Sequence, residues 1–295
     1  VELTAGQVAV VTGGGSGIGL ALAERFARSG LSVVLADIDA DALDAATKRV
    51  GDHGVDVLAR VTDVGDMNAV NDLAAATIER FGAVHVVCNN AGVVSRSDPW
   101  FGPIEAWQWV LDVNMWSVVY GVRAFLPHLL GGGHIVNTAS IAGLMPGFGA
   151  SYDATKHAVV AITEDLYHGM RSAGLPVGVS VLCPGWVRTK ILDAERNWPT
   201  DRGALPDAAL GTDIMMGHVQ RAIDEATPPA VIADLVADAI TAERFWVLPH
   251  ADFVDIAVQR WHSIAEGINP EVLEAPGLPP IEQLRAEVMA SLEAL

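Results

Sequence analysis

Short apolar runs rich in β-branched residues alternate along this chain with longer stretches whose apolar positions recur every three to four residues. The runs at 8–11, 32–36, 55–60, 84–88, 134–137, 178–182 and 245–248 are continuous rather than alternating, which is the pattern of strands buried on both faces of a parallel sheet. Helical periodicity is carried by 18–29, 39–51, 66–81, 104–130, 152–173 and 228–242. Repeated strand–helix units joined by right-handed crossovers predict an α/β fold, a doubly wound, seven-stranded parallel sheet with helices on both faces. Nothing resembling a linker interrupts the first 260 residues, so one domain is expected over 1–265. Two segments leave the alternation. Residues 187–229, rich in Trp, Met, Gly and Pro, read as a mobile covering loop. Residues 266–295 form an extension in which Pro270, Pro276, Pro279 and Pro280 precede IEQLRAEVMASLEAL, a final amphipathic helix.

Charge narrows the classes of function. The 295 residues carry 36 acidic and 18 basic side chains, a net −18, with half of the acidic groups after residue 190. Nucleic acid is excluded as a main partner because phosphate binding needs clustered Lys and Arg, and the chain has only Lys48, Lys156 and Lys190. The acidic excess reads as a solvated exterior. Cys88 and Cys183 sit in apolar runs, as buried thiols in a reducing compartment do. The nine histidines lack the spacing of a metal site. With no secretory leader pattern and no uninterrupted apolar span, a cytoplasmic protein free of membrane and metal is expected.

Chemistry first appears directly after the first strand, in Thr12-Gly13-Gly14-Gly15-Ser16-Gly17-Ile18-Gly19. Glycines there let the backbone turn sharply toward a pyrophosphate, and the following helix N-terminus offers free N–H groups to its charge. Glycine is so common in this chain that one G-x-x-x-G-x-G match arises by chance about 0.3 times; the strand–turn–helix context gives the motif its weight. Asp37 ends the second strand, where a carboxylate accepts hydrogen bonds from an adenosine ribose and repels a 2′-phosphate. This favours NAD over NADP.

The second signal is more specific. Tyr152 and Lys156 lie four residues apart at the start of a helix, on one face. With three Tyr and three Lys in the chain, such a pair arises by chance only about 0.03 times. A phenol is a weak base at neutral pH, and a neighbouring ammonium is expected to lower its pKa.

These residues, taken together, resemble the short-chain dehydrogenase/reductase family over about 4–265. TGGGSGIG at 12–19 is similar to the family's cofactor glycines, Asp63-Val64 to its adenine-contacting pair, Asn89-Asn90-Ala91-Gly92 to its turn after the fourth strand, and Pro184-Gly185-Trp186-Val187-Arg188-Thr189 to its nicotinamide-contacting stretch. The resemblance implies a Rossmann-type catalytic domain holding NAD through Gly13, Ser16, Gly17, Ile18, Gly19, Asp37, Asp63, Val64, Asn90, Ala91, Gly92, Tyr152, Lys156, Pro184, Gly185, Val187 and Thr189. It also implies a catalytic set: Tyr152 moves the substrate hydroxyl proton, Lys156 binds the nicotinamide ribose, Ser140 bonds the substrate oxygen, and Asn114 holds a water that links Lys156 to solvent. Taken singly, Ser140 and Asn114 are equally compatible with local backbone bonds. Asp63 and Thr189 are compatible with simple caps, and Asn90 with satisfying loop backbone.

In that geometry the substrate pocket is walled by Val94, Leu144, Met145, Phe148, Trp186 and Leu192, with Val93, Trp100, Ile191, Trp198, Met215 and Met216 nearby. The wall is apolar, and no pair of basic residues stands ready to clamp a carboxylate or phosphate, Arg96, Arg188 and Arg196 being the nearby candidates, so the expected partner is a small hydrophobic secondary alcohol or its ketone. Two alternatives stand beside this reading: an NADPH-dependent 3-ketoacyl carrier-protein-type reductase, opposed by Asp37 and the acidic balance, and a non-catalytic NAD-binding scaffold, opposed by the intact Tyr–Lys pair. The apolar helices at 104–130 and 152–173 are the surfaces that the family joins across a two-fold axis, which implies a homodimer or homotetramer.

Overall fold

The computed structural model describes residues 2–209, 211–272 and 274–293. Val1, Leu210, Leu273, Ala294 and Leu295, which fall within the expected domain, covering loop and tail, lie outside the described residues.

Seven parallel strands form one sheet: β1 (Val8–Thr12), β2 (Ser32–Asp37), β3 (Val57–Val61), β4 (Val86–Asn89), β5 (Gly133–Thr138), β6 (Val177–Leu182) and β7 (Trp246–Val247). Their spatial order is β3-β2-β1-β4-β5-β6-β7. The chain winds outward from β1 in one direction and then, from β4, in the other. Beyond the carboxyl ends of β1 and β4 the connecting segments therefore diverge and leave a crevice. The central strands β1, β4 and β5 are buried throughout. Burial of both faces does not extend to β3, whose Arg60 and Val61 are exposed because the strand lies at the sheet edge.

Ten helices are seen among the described residues: α1 (Gly17–Arg28), α2 (Ala40–Gly51), α3 (Met67–Phe81), α4 (Ile104–Leu111), α5 (Ser117–Leu129), α6 (Ala150–Ser172), α7 (Thr212–Asp224), α8 (Pro229–Thr241), α9 (Ala251–Glu266) and α10 (Ile281–Glu293). One face of the sheet packs on α1, α2 and α8 through Leu22, Phe26, Leu43, Val50, Ile232 and Val236. The other packs on α3, α5 and α6 through Leu73, Phe125, Leu129 and Leu166. Fully burying each such side chain contributes about 1.5–3 kcal/mol, so the two layers hold the strand ends, and the loops on them, in place.

Three elements differ from the sequence pattern. The single helix expected at 104–130 is split by a π-helical turn, Asp112–Trp116, a widening that apolar periodicity does not reveal. The expected loop at 187–229 contains two 3₁₀ segments, Ile191–Asn197 and Thr200–Arg202, and helix α7. Helix α9, absent from the sequence reading, is amphipathic and buries Phe253 and Ala257. Cys88 and Cys183 are both buried and free. No helix among the described residues is long and apolar enough to cross a membrane.

Candidate active site

The loop from β1 into α1 is shaped by close backbone approaches. Gly13 has φ +65°, and a Cβ there would lie 2.9 Å from the Ala91 Cα; at Gly19 a Cβ would lie 2.0 Å from the Gly13 carbonyl oxygen. A side chain at either position would displace the turn. The first turn of α1 contains no acidic residue, and the Ser16 hydroxyl makes no capping bond. The positive end of the helix and its free N–H groups thus face the crevice, a fit for a diphosphate.

Acidic side chains brace this loop and its neighbour. One Asp37 carboxylate oxygen accepts from the Gly15 N–H at 2.9 Å and the other from the Asp39 N–H at 3.0 Å. Asp39, not Asp37, caps α2 by accepting from the Ala42 N–H. Asp63 accepts from the Gly65 N–H at 2.8 Å, and Asp66 caps α3. Asn90 spends its side chain on the neighbouring strand ends: its amide donates to the Thr12 carbonyl at 3.0 Å, and its Oδ1 accepts from the Thr138 hydroxyl at 3.2 Å. The Thr12 hydroxyl in turn accepts from the Asn90 and Ala91 N–H groups. Thr189 stands across from Gly17, its methyl 3.1 Å from where a Cβ would be.

Tyr152 and Lys156 lie on the first two turns of α6. Lys156 is buried, and its Nζ donates to the Thr138 carbonyl at 3.0 Å while standing 5.6 Å from the centre of the Tyr152 ring. Burial lowers the amine pKa to about 8. Burial pushes the Tyr152 phenol up to about 12, opposed by a side-chain hydrogen bond with Ser140. Desolvation, with a further upward push from Asp153, outweighs the expected depression of the phenol by Lys156. Ser140 also donates to the Pro184 carbonyl at 3.3 Å and accepts from the Ala142 N–H.

A cavity of about 1060 Å³ brings most of the expected residues together. Its wall runs from Gly13, Ser16, Gly17 and Ile18, past Asp37, Asp63, Val64, Asn90, Ala91 and Gly92, to Ser140, Tyr152 and Lys156; Pro184, Gly185, Val187 and Thr189 close the opposite side. Val94, Phe148, Trp186 and Leu192 continue the wall, with Val93, Ile191, Met215 and Met216.

Other expected positions fall behind this wall. Met145 is buried beside Ile141 and Phe253, and Leu144 packs on the same cluster, because the 3₁₀ turn Ile141–Gly143 directs the chain away from the cavity before Pro146 returns to it. Gly19 is packed under Gly13 rather than lining the cavity. Trp100 is exposed and Trp198 packs edge-on against Trp109 at 5.3 Å, both outside the lining. Asn114 is fully buried in the π turn, where its Oδ1 accepts from the Val93 N–H at 2.8 Å and its amide donates to the Val93 carbonyl at 2.9 Å. Its side chain holds the backbone after Gly92, and its amide also donates to the Thr155 hydroxyl at 3.3 Å.

Two supporting residues escaped the sequence reading. Asp153, buried beside Tyr152, accepts from the Gly147 N–H at 2.7 Å and the Phe148 N–H at 3.2 Å, so it shapes the pocket segment 146–149. An aspartate in the first turn of α6 was the available signal. The Nδ1 of His250 accepts from the Gly185 N–H at 3.0 Å, and its Nε2 donates to the Thr227 hydroxyl at 3.1 Å, the neutral tautomer that its burial favours.

Similarity to known proteins agrees with this geometry. The model of the short chain dehydrogenase family matches residues 7–200. A 1-deoxy-11-beta-hydroxypentalenate dehydrogenase of Streptomyces avermitilis is 41% identical over 253 residues, covering 83% of this chain and 85% of its own. A 2-(R)-hydroxypropyl-CoM dehydrogenase of Xanthobacter autotrophicus is 37% identical over 212 residues, covering 69% of this chain and 82% of its own. The crystal structure of a short-chain dehydrogenase/reductase from Burkholderia phymatum in complex with NAD superposes with a TM-score of 0.89 at 39% identity, over 93% of this chain and 99% of that one. With the strand order, the glycine loop and the Tyr–Lys pair of α6 converging on one cavity, the chain belongs to the short-chain dehydrogenase/reductase family.

Proposed function

We propose that the protein is an NAD(H)-dependent oxidoreductase that interconverts a hydrophobic secondary alcohol and its ketone. The observation that carries this reading is the convergence of Tyr152, Lys156 and Ser140 on the wall of one cavity that continues to the glycine loop. When bound, a nicotinamide dinucleotide would supply hydride acceptance or donation. The residues fit that group: free N–H groups of α1 for its diphosphate, Asp37 for the adenosine ribose, and Lys156 for the second ribose.

The chain's own part is proton handling and polarisation. In reduction, the Tyr152 phenol, neutral at physiological pH, donates its proton to the carbonyl oxygen, which Ser140 also hydrogen-bonds as charge develops on it. In oxidation Tyr152 accepts the hydroxyl proton, which requires the less populated phenolate, so oxidation gains rate as pH rises toward the phenol's pKa. Lys156, an ammonium below about pH 8, stabilises that phenolate. The relatives' names, dehydrogenases of hydroxypentalenate and hydroxypropyl compounds, and the NAD complex of the structural relative support both the reaction class and the cofactor.

Asp37 favours NAD over NADP, and Arg196, one of the cations that the covering segment brings to the cavity, lies 3.9 Å from Asp39. The test is consumption of NADH and NADPH with a panel of ketones. Cyclic and aryl-substituted ketones with NADH are expected to turn over best. Fastest turnover of short anionic keto acids, or tighter binding of NADPH than NADH, would overturn the assignment.

A further inference from the structure

Beyond Phe148 and Trp186 the chamber is closed by the chain's own C-terminal tail. Ile268, Val272, Ala275, Leu278, Ile281 and Leu284 line the cavity that holds Tyr152. Two anchors fix them there. At the first, the Trp186 indole N–H donates to the Pro276 carbonyl at 2.7 Å, and Ala275 packs against the cluster of Ile141, Met145 and Phe253. At the second, helix α10 seats on α7. Leu284 is buried, and Val288 comes so close to Gly211 that a Cβ there would lie 2.9 Å away. A hydrogen-bonded chain joins the two helices: Arg221 donates to His218 Nδ1 at 2.7 Å, and His218 Nε2 donates to Glu287 at 2.7 Å. Helix α7 adds Met215, Met216, Val219 and Ile223 to the same wall. The result is an aliphatic surface built from two segments more than forty residues apart in sequence.

We propose that this tail is the specificity-determining wall of the substrate site, with Leu278, Ile281 and Leu284 selecting a neutral, bulky alicyclic skeleton over a single small ring. The inference rests on the reaction proposed above and deepens it. An aliphatic wall offers no directional bond, so discrimination comes from apolar area covered, and a fused-ring ketone covers more of it than a single ring does. Glu271 and Glu274, exposed among the tail residues lining the cavity, disfavour an anionic substituent. Arg260, which lines the same cavity, donates to the Leu144 carbonyl and lies over the Trp261 ring.

The experiment compares 2-decalone with cyclohexanone in the full chain, as the ratio of their kcat/KM values with NADH and as their dissociation constants read by tryptophan fluorescence. The ratio is expected to favour 2-decalone at least tenfold in the native protein. It should fall at least tenfold in Leu278→Ala and in Ile281→Ala, and in Trp186→Phe, which keeps a ring but loses the bond to Pro276. Circular dichroism identifies a variant that has unfolded, and the remaining two then decide. A native preference for cyclohexanone, or a ratio unchanged in folded variants, would overturn the wall. Tight 2-decalone binding that weakens in the variants, in a native protein that oxidises no NADH, would sustain the wall and overturn the reaction.

Discussion

The two ends of the cavity are built in different ways. At the cofactor end, short turns at the carboxyl ends of β1, β2, β3 and β4 are tied by side-chain bonds to backbone N–H groups: Asp37 to Gly15 and Asp39, Asp63 to Gly65, Thr12 to Asn90 and Ala91. The backbone itself forms the surface, and glycines are needed because nothing else fits. At the substrate end the surface is made of aliphatic side chains brought together from the covering segment and the tail, held by Trp186–Pro276, His218–Glu287 and apolar contact. The first end is determined by steric exclusion, the second by area and shape. Changes at the first should therefore abolish binding outright, whereas changes at the second should re-rank substrates.

The strongest way to break that contrast is Gly19→Ala. Its methyl carbon would meet the Gly13 carbonyl oxygen at 2.0 Å and the Asn90 side chain at 2.7 Å. NADH affinity measured by calorimetry is expected to fall at least about 100-fold, on the order of 3 kcal/mol. An unchanged affinity would show that the loop tolerates displacement.

Met145 and Phe148 separate packing from recognition. Met145 is buried behind the wall, so Met145→Ala should cost about 2–5 kcal/mol in denaturant unfolding and leave the order of preferred ketones as it was. Phe148→Ala, on the wall itself, should raise KM for cyclic ketones more than it lowers stability. The reverse pattern would return Met145 to the substrate site.

The smallest effect concerns Lys156. Its folded pKa of about 8 lies below the ordinary 10.5, so between those values the unfolded chain binds more protons and stability rises with pH. Below pH 8 the buried ammonium costs the fold up to about 3 kcal/mol. Lys156→Met should thus unfold at higher denaturant than the native protein at pH 7, with the advantage shrinking toward pH 10, while activity is lost. A destabilised variant would mean that the bond to Thr138 outweighs desolvation.

The same contrast explains what could be read from sequence. The sheet, the glycine loop, Asp37 and the Tyr152–Lys156 pair were legible because each is a local pattern whose geometry follows from a strand end or a helical turn. Phe148, Trp186 and Leu192 line the cavity, whereas Leu144 and Met145 lie behind it, since a single 3₁₀ turn decides which way a run of apolar residues faces. Asn114 was located, but its bonds to Val93 depend on a π turn that no periodicity announces. His250 and the tail act across long sequence separations, His250 on Gly185 and Pro276 on Trp186. Their partners cannot be matched before the fold is known.

The central claim, that Tyr152 moves the substrate proton in a site whose cofactor end stands independently of it, is tested most directly by Tyr152→Phe. The ring and its packing are kept and only the hydroxyl is removed. NADH should bind the variant as it binds the native protein, while its consumption with the best cyclic ketone falls by about 10²–10⁴-fold, the usual contribution of a positioned acid. Equal rates for the two proteins would contradict the account.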